Sequence, residues 1–331
     1  MTAAVDLQTL AAQIRDARGV AHKRDIDAVV TRLGLGDRHA AVPVGDDCAA
    51  IPDGDGHLLL AIEGFIDSFV TADPYFAGYC GIMVNLSDVA AMGGRPLAVV
   101  DALWSRDAAA ADPILAGLSD AAALYGVPVV GGHTNTRSET GNLAVAVLGR
   151  AGPHLLTSFD AEPGDDLIAA IDLRGRFRDP HPYWDASSGS PGERLRADLA
   201  LLPGLAEDGL CRAAKDISMA GVVGTALMLL ECSNVGAAID LDAIPRPDGV
   251  PLARWLTAFP SFGYLLSVRP DRTPAVLARF AERGIAAARI GGIDASRVAR
   301  IRDAGDEEAV VWDFVAGPLI GCGQGDAGSE S

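Results

Sequence analysis

The chain has 331 residues, is 49% hydrophobic and only 5% aromatic, and carries 44 acidic against 27 basic side chains for a net charge of −17. Such an acidic surface repels nucleic-acid backbones and anionic membranes, so neither is expected as a partner. The five cysteines are dispersed with no CxxC spacing, which excludes a disulfide framework and reads as free thiols in a reducing cytoplasm.

Residues 7–18 and 23–33 have helical periodicity, with a break expected at Gly19. Residues 42–51 read as a strand containing a turn and 58–66 as a strand. Residues 75–92 form a helical pattern stopped by Gly93-Gly94. A strand at 96–104, a helix at 113–125, a strand at 127–130 running into a Gly131-Gly132 turn, and a strand at 143–150 complete a first domain, 1–152. The second domain, 153–320, opens with a strand at 167–172. A loop at 174–192, rich in Pro, Gly, Ser and charge, is expected to be mobile. Helices at 195–202, 220–233 and 273–283 follow, with strands at 237–241, 263–268 and 286–290. A terminal hairpin pairs 298–302 with 309–312. Residues 321–331 read as a disordered tail. The longest apolar run, 219–230, is too short to span a bilayer, and the amino terminus lacks the basic start and apolar core of a signal peptide.

Carboxylates beside glycines mark the first domain. Gly45-Asp46-Asp47, Glu63 and Asp67, Asn85-Leu86-Ser87-Asp88 and Gly131-Gly132-His133-Thr134 each adjoin an apolar run. Acids at element ends can converge on a hard cation through oxygen, and glycines let backbone N–H groups approach phosphate. Together they point to a magnesium–nucleotide site built from dispersed segments. Each cluster also has a plainer reading: an acidic turn at Asp46-Asp47, a cap or salt bridge at Glu63 and Asp67, satisfied buried polar groups at Asn85 and Asp88, and a structural His133. Asn85 and Asp88 lie one turn apart on one face of an apolar helix, so both need partners. Lys23 and Arg24 can cover a triphosphate from a mobile arm, or face solvent on a helix. Asp216 and Ser218 precede an apolar helix, where they can cap it or let its amino terminus meet an anion. Phe262 and Tyr264 begin a strand and are candidates for lining an acceptor pocket.

In order, these segments resemble the PurM-like superfamily of aminoimidazole ribonucleotide synthetase, thiamine-monophosphate kinase, selenophosphate synthetase and the hydrogenase-maturation dehydratase. The likeness runs from about Val42 to Ile293 and rests on Gly45-Asp46-Asp47-Cys48-Ala49, Asn85-Leu86-Ser87-Asp88-Val89-Ala90-Ala91-Met92-Gly93 and Gly131-Gly132-His133-Thr134. The resemblance implies an α+β, two-domain PurM-like fold. Its amino-terminal domain forms a β-barrel across a homodimer, and its carboxy-terminal domain is an α/β sandwich. It implies ATP with Mg2+, held by Asp46, Asp47 and Asp88, with Glu63 and Asp67 where the kinases carry Asp and Glu. Beside what the resemblance implies, Asp88 is the leading catalytic candidate, with Lys23 or Arg24 expected over the γ-phosphate and Asp216 or Ser218 facing nucleotide or substrate. Asn85, Gly131, Gly132, His133, Thr134 and Ser218 fall to the nucleotide.

Three departures narrow the reading. His133 stands where the kinases and selenophosphate synthetases have an acid. Ser218-Met219-Ala220 stands where thiamine-monophosphate kinases have Ser-Asp-Gly, and Phe262-Gly263-Tyr264-Leu265-Leu266 replaces their acidic segment. These changes argue against thiamine phosphate. Lys215-Asp216-Ile217-Ser218 through Leu229-Leu230-Glu231 looks like the hydrogenase-maturation branch, but Cys322 lies too far inside to match its terminal cysteine. The chain resembles a divergent, AIR-synthase-related branch. An ATP-dependent enzyme acting on a small molecule is the leading expectation, and a non-catalytic nucleotide-binding subunit is the alternative.

Overall fold

The computed structural model describes residues 6–35 and 42–322. Of the expected tail, 323–331 lies outside the described residues. The chain opens with α1 (Leu7–Asp16), α2 (Arg18–Ala21), a 3-10 turn at His22–Arg24, and α3 (Asp25–Leu33). The Asp6 carboxylate caps α1 by accepting from the Thr9 amide at 3.0 Å. The break falls at Ala17, whose ψ of 136° leaves the helical region, and the expected breaker Gly19 lies inside α2.

Two compact units are interleaved along the chain. One comprises Asp47–Leu155 with Ser187–Asp208. The other comprises the described residues up to Asp46, Leu156–Ala186, and the described residues from Gly209 onward. A single cut after residue 152 was expected. Instead the first segment joins the second unit, because the Asp46 carboxylate accepts from the Ser158 amide and hydroxyl, each at 2.7 Å.

The first unit contains β1 (Ala49–Asp53), β2 (Gly56–Phe65), α4 (Asp67–Ala72), α5 (Pro74–Ala91), β3 (Arg95–Trp104), α6 (Ala108–Tyr125), β4 (Val129–Asn135) and β5 (Asn142–Ala151), then α7 (Gly192–Leu199) and α8 (Leu201–Glu207). Its sheet runs β1-β2-β5-β3-β4 and is open at β1 and β4. The α6 crossover makes β3 and β4 parallel, and the other pairs are antiparallel. α5 lies on β2, β5 and β3. It begins with an Asp73 cap and Pro74 in its first turn, and it is buried along nearly its whole length. On the sheet face shared by β1, β2, β5 and β3, Ile51, Leu60, Ile62, Leu148 and Val100 are exposed.

β4 corrects one expectation. Gly131 and Gly132 sit inside this strand, paired with Val100 and Asp101 of β3, and make no turn.

The second unit holds β6 (Asp166–Ile171), β7 (Arg176–Phe177), β8 (Tyr183–Asp185), β9 (Ala213–Asp216), α9 (Gly221–Ser233), β10 (Gly236–Asp240), α10 (Leu252–Trp255), β11 (Phe259–Pro260), β12 (Gly263–Val268), α11 (Thr273–Glu282), β13 (Ala286–Asp294), β14 (Val298–Arg302) and β15 (Glu308–Asp313). Seven strands run β15-β14-β10-β13-β6-β12-β9, with only β10 and β14 parallel. The expected terminal hairpin is β14–β15. The segment expected as a mobile loop instead contributes β7 and β8 to a small sheet with β11. Phe177, Trp184 and Trp255 meet edge to face there, and Arg254 stacks 3.7 Å from the Phe177 ring centre. These anchors outweigh the loop-like composition. Among the described residues, no helix is long and apolar enough to cross a membrane.

Ser187 explains why 187–208 joins the first unit. Its hydroxyl lies 2.7 Å from the Tyr79 hydroxyl and 2.8 Å from that of Tyr125, all three buried. Ser187→Ala is expected to cost about 1–3 kcal/mol, because it removes the shared partner of two buried hydroxyls. Denaturant unfolding of the variant checks this.

Candidate metal centre

α5 buries an amide and a carboxyl side chain among mostly apolar neighbours. Asn85 is fully buried and Asp88 is 5% exposed. The Asn85 Nδ2 donates back to the Gly81 carbonyl at 2.8 Å, while its Oδ1 has no hydrogen-bond partner among the described residues. Asp47 immediately precedes Cys48, whose amide donates to the Met92 sulfur at 3.1 Å. That contact pins the start of β1 to the end of α5. The result is that a carboxylate oxygen of Asp47 lies within 4.8 Å of one from Asp88. Two carboxylates this close repel each other, and a shared cation relieves the repulsion. With the buried Asn85 carbonyl oxygen on the same helix, the available donors are all oxygen, which suits a hard divalent cation such as Mg2+.

The other expected ligands make these contacts. Asp46 accepts the two Ser158 hydrogen bonds and has the buried Lys215 ammonium 3.9 Å away. Its carboxylate therefore braces the loop within the second unit. Asp67 starts α4 and accepts from the Gly141 amide at 2.9 Å and the Thr71 hydroxyl at 3.3 Å. Glu63 stands on β2 opposite Val145 of β5. Neither Glu63 nor Asp67 belongs to the gathered carboxylates.

On β4, His133 and Thr134 are exposed, and the His133 ring lies 6.0 Å from that of Trp104. In the second unit, Lys23 falls in the 3-10 turn. Arg24 donates to the Arg15 carbonyl at 3.2 Å and stacks over Trp312, so the arm expected to be mobile is folded. Asp216 ends β9, buried, opposite Tyr264 of β12. Neither Asp216 nor Ser218 caps α9. The cap residue is Ala220, and the Ser218 hydroxyl accepts from the Ala220 amide at 3.4 Å. Phe262 and Tyr264 meet edge to face at 5.0 Å, with Tyr264 fully buried.

One acid escaped the sequence reading. Asp101 sits within β3 opposite Gly132, and its Oδ2 is buried with no hydrogen-bond partner among the described residues. Burial raises its carboxyl above the ordinary aspartate range. A Cβ at position 132 would overlap this side chain, so the glycine makes room for a carboxylate. The signal was a charged residue in the middle of an apolar strand.

The AIR synthase related protein amino-terminal domain model matches residues 45–151, and the corresponding carboxy-terminal domain model matches 188–303. An uncharacterized protein of Synechocystis sp. is 48% identical over 320 residues, covering 95% of this chain and 98% of that protein. The chain belongs to the AIR synthase-related family. Among other members of this wider group, a thiamine-monophosphate kinase of Synechococcus elongatus is 28% identical over 262 residues, 73% of this chain and 79% of the kinase. Thermotoga maritima PurL complexed with ATP shares the fold, with a TM-score of 0.74 at 20% identity over 96% of this chain. The chain spans about half of that PurL, 52% of its length. The AIR synthase-related chain thus has a two-domain PurM-like fold of mixed α and β content.

The raised Asp101 carboxyl has a consequence with a definite sign. Its protonated form favours the fold, so its contribution is present below the ordinary value of 3.8 and is lost as pH rises past its folded range. Asp101→Asn is expected to raise Tm at pH 7 and to lose that advantage as pH falls toward 4. Paired melts across pH check this.

Proposed function

We propose that this protein is an ATP- and Mg2+-dependent enzyme that activates a small molecule by phosphoryl transfer or a related step. The observation that carries the reading is the approach of Asp47 to Asp88, with Asn85 one turn before Asp88 on α5 and its Oδ1 buried. The thiamine-monophosphate kinase relative and the ATP-bound PurL of like fold support the choice of nucleotide. Bound Mg2+ supplies charge neutralisation at phosphate oxygens. Asp47 and Asp88 hold the cation, and Asn85 completes their oxygen set. Asp46 keeps the loop in place through Ser158. Lys23 is assigned to the nucleotide phosphates, Thr134 and Ser218 to nucleotide contacts, and Asp216 to nucleotide or substrate. Phosphate contact at Gly132 is confined to the face that Asp101 leaves open.

The same reading includes a homodimer. Ile51, Leu60, Ile62, Val100 and Leu148 give one sheet face an apolar patch of the kind that marks interfaces. A second copy laid on it would close the open sheet into a barrel. Sedimentation velocity on the full chain measures that state.

The second reading is a nucleotide-binding subunit without catalysis, and His133 favours it. This residue sits by Trp104 and brings no carboxylate to β4.

Asp88→Asn is expected to lower Mg2+-dependent ATP turnover by about 100-fold or more, since the cation accounts for several kcal/mol of transition-state charge stabilisation. The variant should still fold cooperatively, which a thermal melt reads. Steady-state turnover with and without candidate acceptors, together with calorimetric ATP titration, checks this. Turnover unchanged in the variant would refute the assignment, and wild-type binding without turnover on any acceptor would favour the subunit.

A further inference from the structure

The end of α9 organises the loop that leads into Asp47. Three consecutive residues there each reach a different backbone segment. The buried Glu231 carboxylate accepts from three successive amides, Leu319 at 3.0 Å, Ile320 at 2.8 Å and Gly321 at 3.1 Å. The Cys232 thiol donates to the Gly45 carbonyl at 3.7 Å. The Ser233 hydroxyl donates to the Ser158 carbonyl at 2.7 Å and accepts from the Ala161 amide at 3.0 Å. Ser158 is the residue that holds Asp46.

The strap held by Glu231 closes the arrangement. It delivers Cys322 against Gly45, where a Cβ would overlap the Cys322 side chain. Gly45 also has φ +132°, a region that side chains avoid. Position 45 is therefore glycine for two reasons: the strap lies on it, and its backbone is turned. The Gly45 carbonyl is met by Cys232, its α-carbon by Cys322, and the next side chain by Ser158. All three contacts trace to the end of α9.

We propose that Glu231 is a positioning residue: by clamping the 319–322 strap onto Gly45, it fixes the Gly45-Asp46-Asp47 loop. The cation function of that loop rests on the reading given above. Glu231 acts through the strap, whose amides its carboxylate holds. Glutamine at 231 keeps the size of the side chain but loses the charge and turns an N–H2 toward donors, so the triple contact fails.

The test uses the full chain, with Glu231→Gln and Ser233→Ala as variants and Glu231→Asp as the conservative control. Hydrogen exchange without metal reads the amides of 44–48, and Mn2+ titration by paramagnetic resonance reads the cation. The expected result for Glu231→Gln is exchange at 44–48 about tenfold faster, with Mn2+ affinity reduced about tenfold, the scale typical of groups that orient a ligand without touching the metal. Ser233→Ala should move the same amides, and Glu231→Asp should recover part of the affinity. Exchange at 44–48 left at the wild-type rate in both variants would overturn the proposal, even if 319–322 were freed. A wild-type chain that takes up no Mn2+, while Glu231→Gln still loosens 44–48, would sink the cation reading and leave the positioning role standing.

Discussion

Two aspartate side chains with oxygens within 4.8 Å of each other are the constraint around which the first unit is arranged. At an effective dielectric of about 20, unit charges at that separation repel by roughly 3 kcal/mol. A fold keeps such a pair only if rigid neighbours hold it or an opposite charge offsets it. α5 provides the rigidity, since it is buried on nearly all sides and pressed on three strands. The Cys48 amide on the Met92 sulfur supplies the second point of fixation.

The neighbouring aspartate makes the contrast instructive. Asp46 and Asp47 are adjacent, yet Asp46 is supplied with a backbone donor, a hydroxyl donor and a nearby ammonium. A carboxylate so well compensated serves stability, because drawing it to a metal would break bonds already made. A carboxylate oxygen of Asp47 lies within 4.8 Å of one from Asp88. Adjacent identical residues are thus directed to different neighbours by the fold.

That division marks how far the sequence could be read. The helix bearing Asn85 and Asp88 was legible because polar residues one turn apart in an apolar run demand partners, and its stop at Gly93-Gly94 is local chemistry. Most strands of both units were legible from short apolar runs, but β9 was not expected and β1 begins later than the 42–51 reading placed it. What failed depended on long-range contacts. Gly131-Gly132 looks like a turn, but pairing with β3 and the space taken by Asp101 make it strand. Residues 174–192 look like a loop until Trp255, some seventy positions on, supplies the aromatic partner. Lys23 and Arg24 look like a free arm, but Trp312 near the other end of the chain receives Arg24. In each case the local preference was weak and a distant side chain decided the outcome.

Glu231 shows the same contest between burial and hydrogen bonding at the end of α9. Three amides converge on its carboxylate, yet burial still holds its carboxyl above the ordinary range. Desolvation is the larger effect, and the amide hydrogen bonds only partly oppose it. A buried hydrophobic residue of similar volume would avoid that cost but could not collect three N–H groups in a row. The acid therefore secures geometry at the expense of stability, and the geometry it secures is the seat of Gly45. Such a trade is expected where backbone must be held to fractions of an ångström.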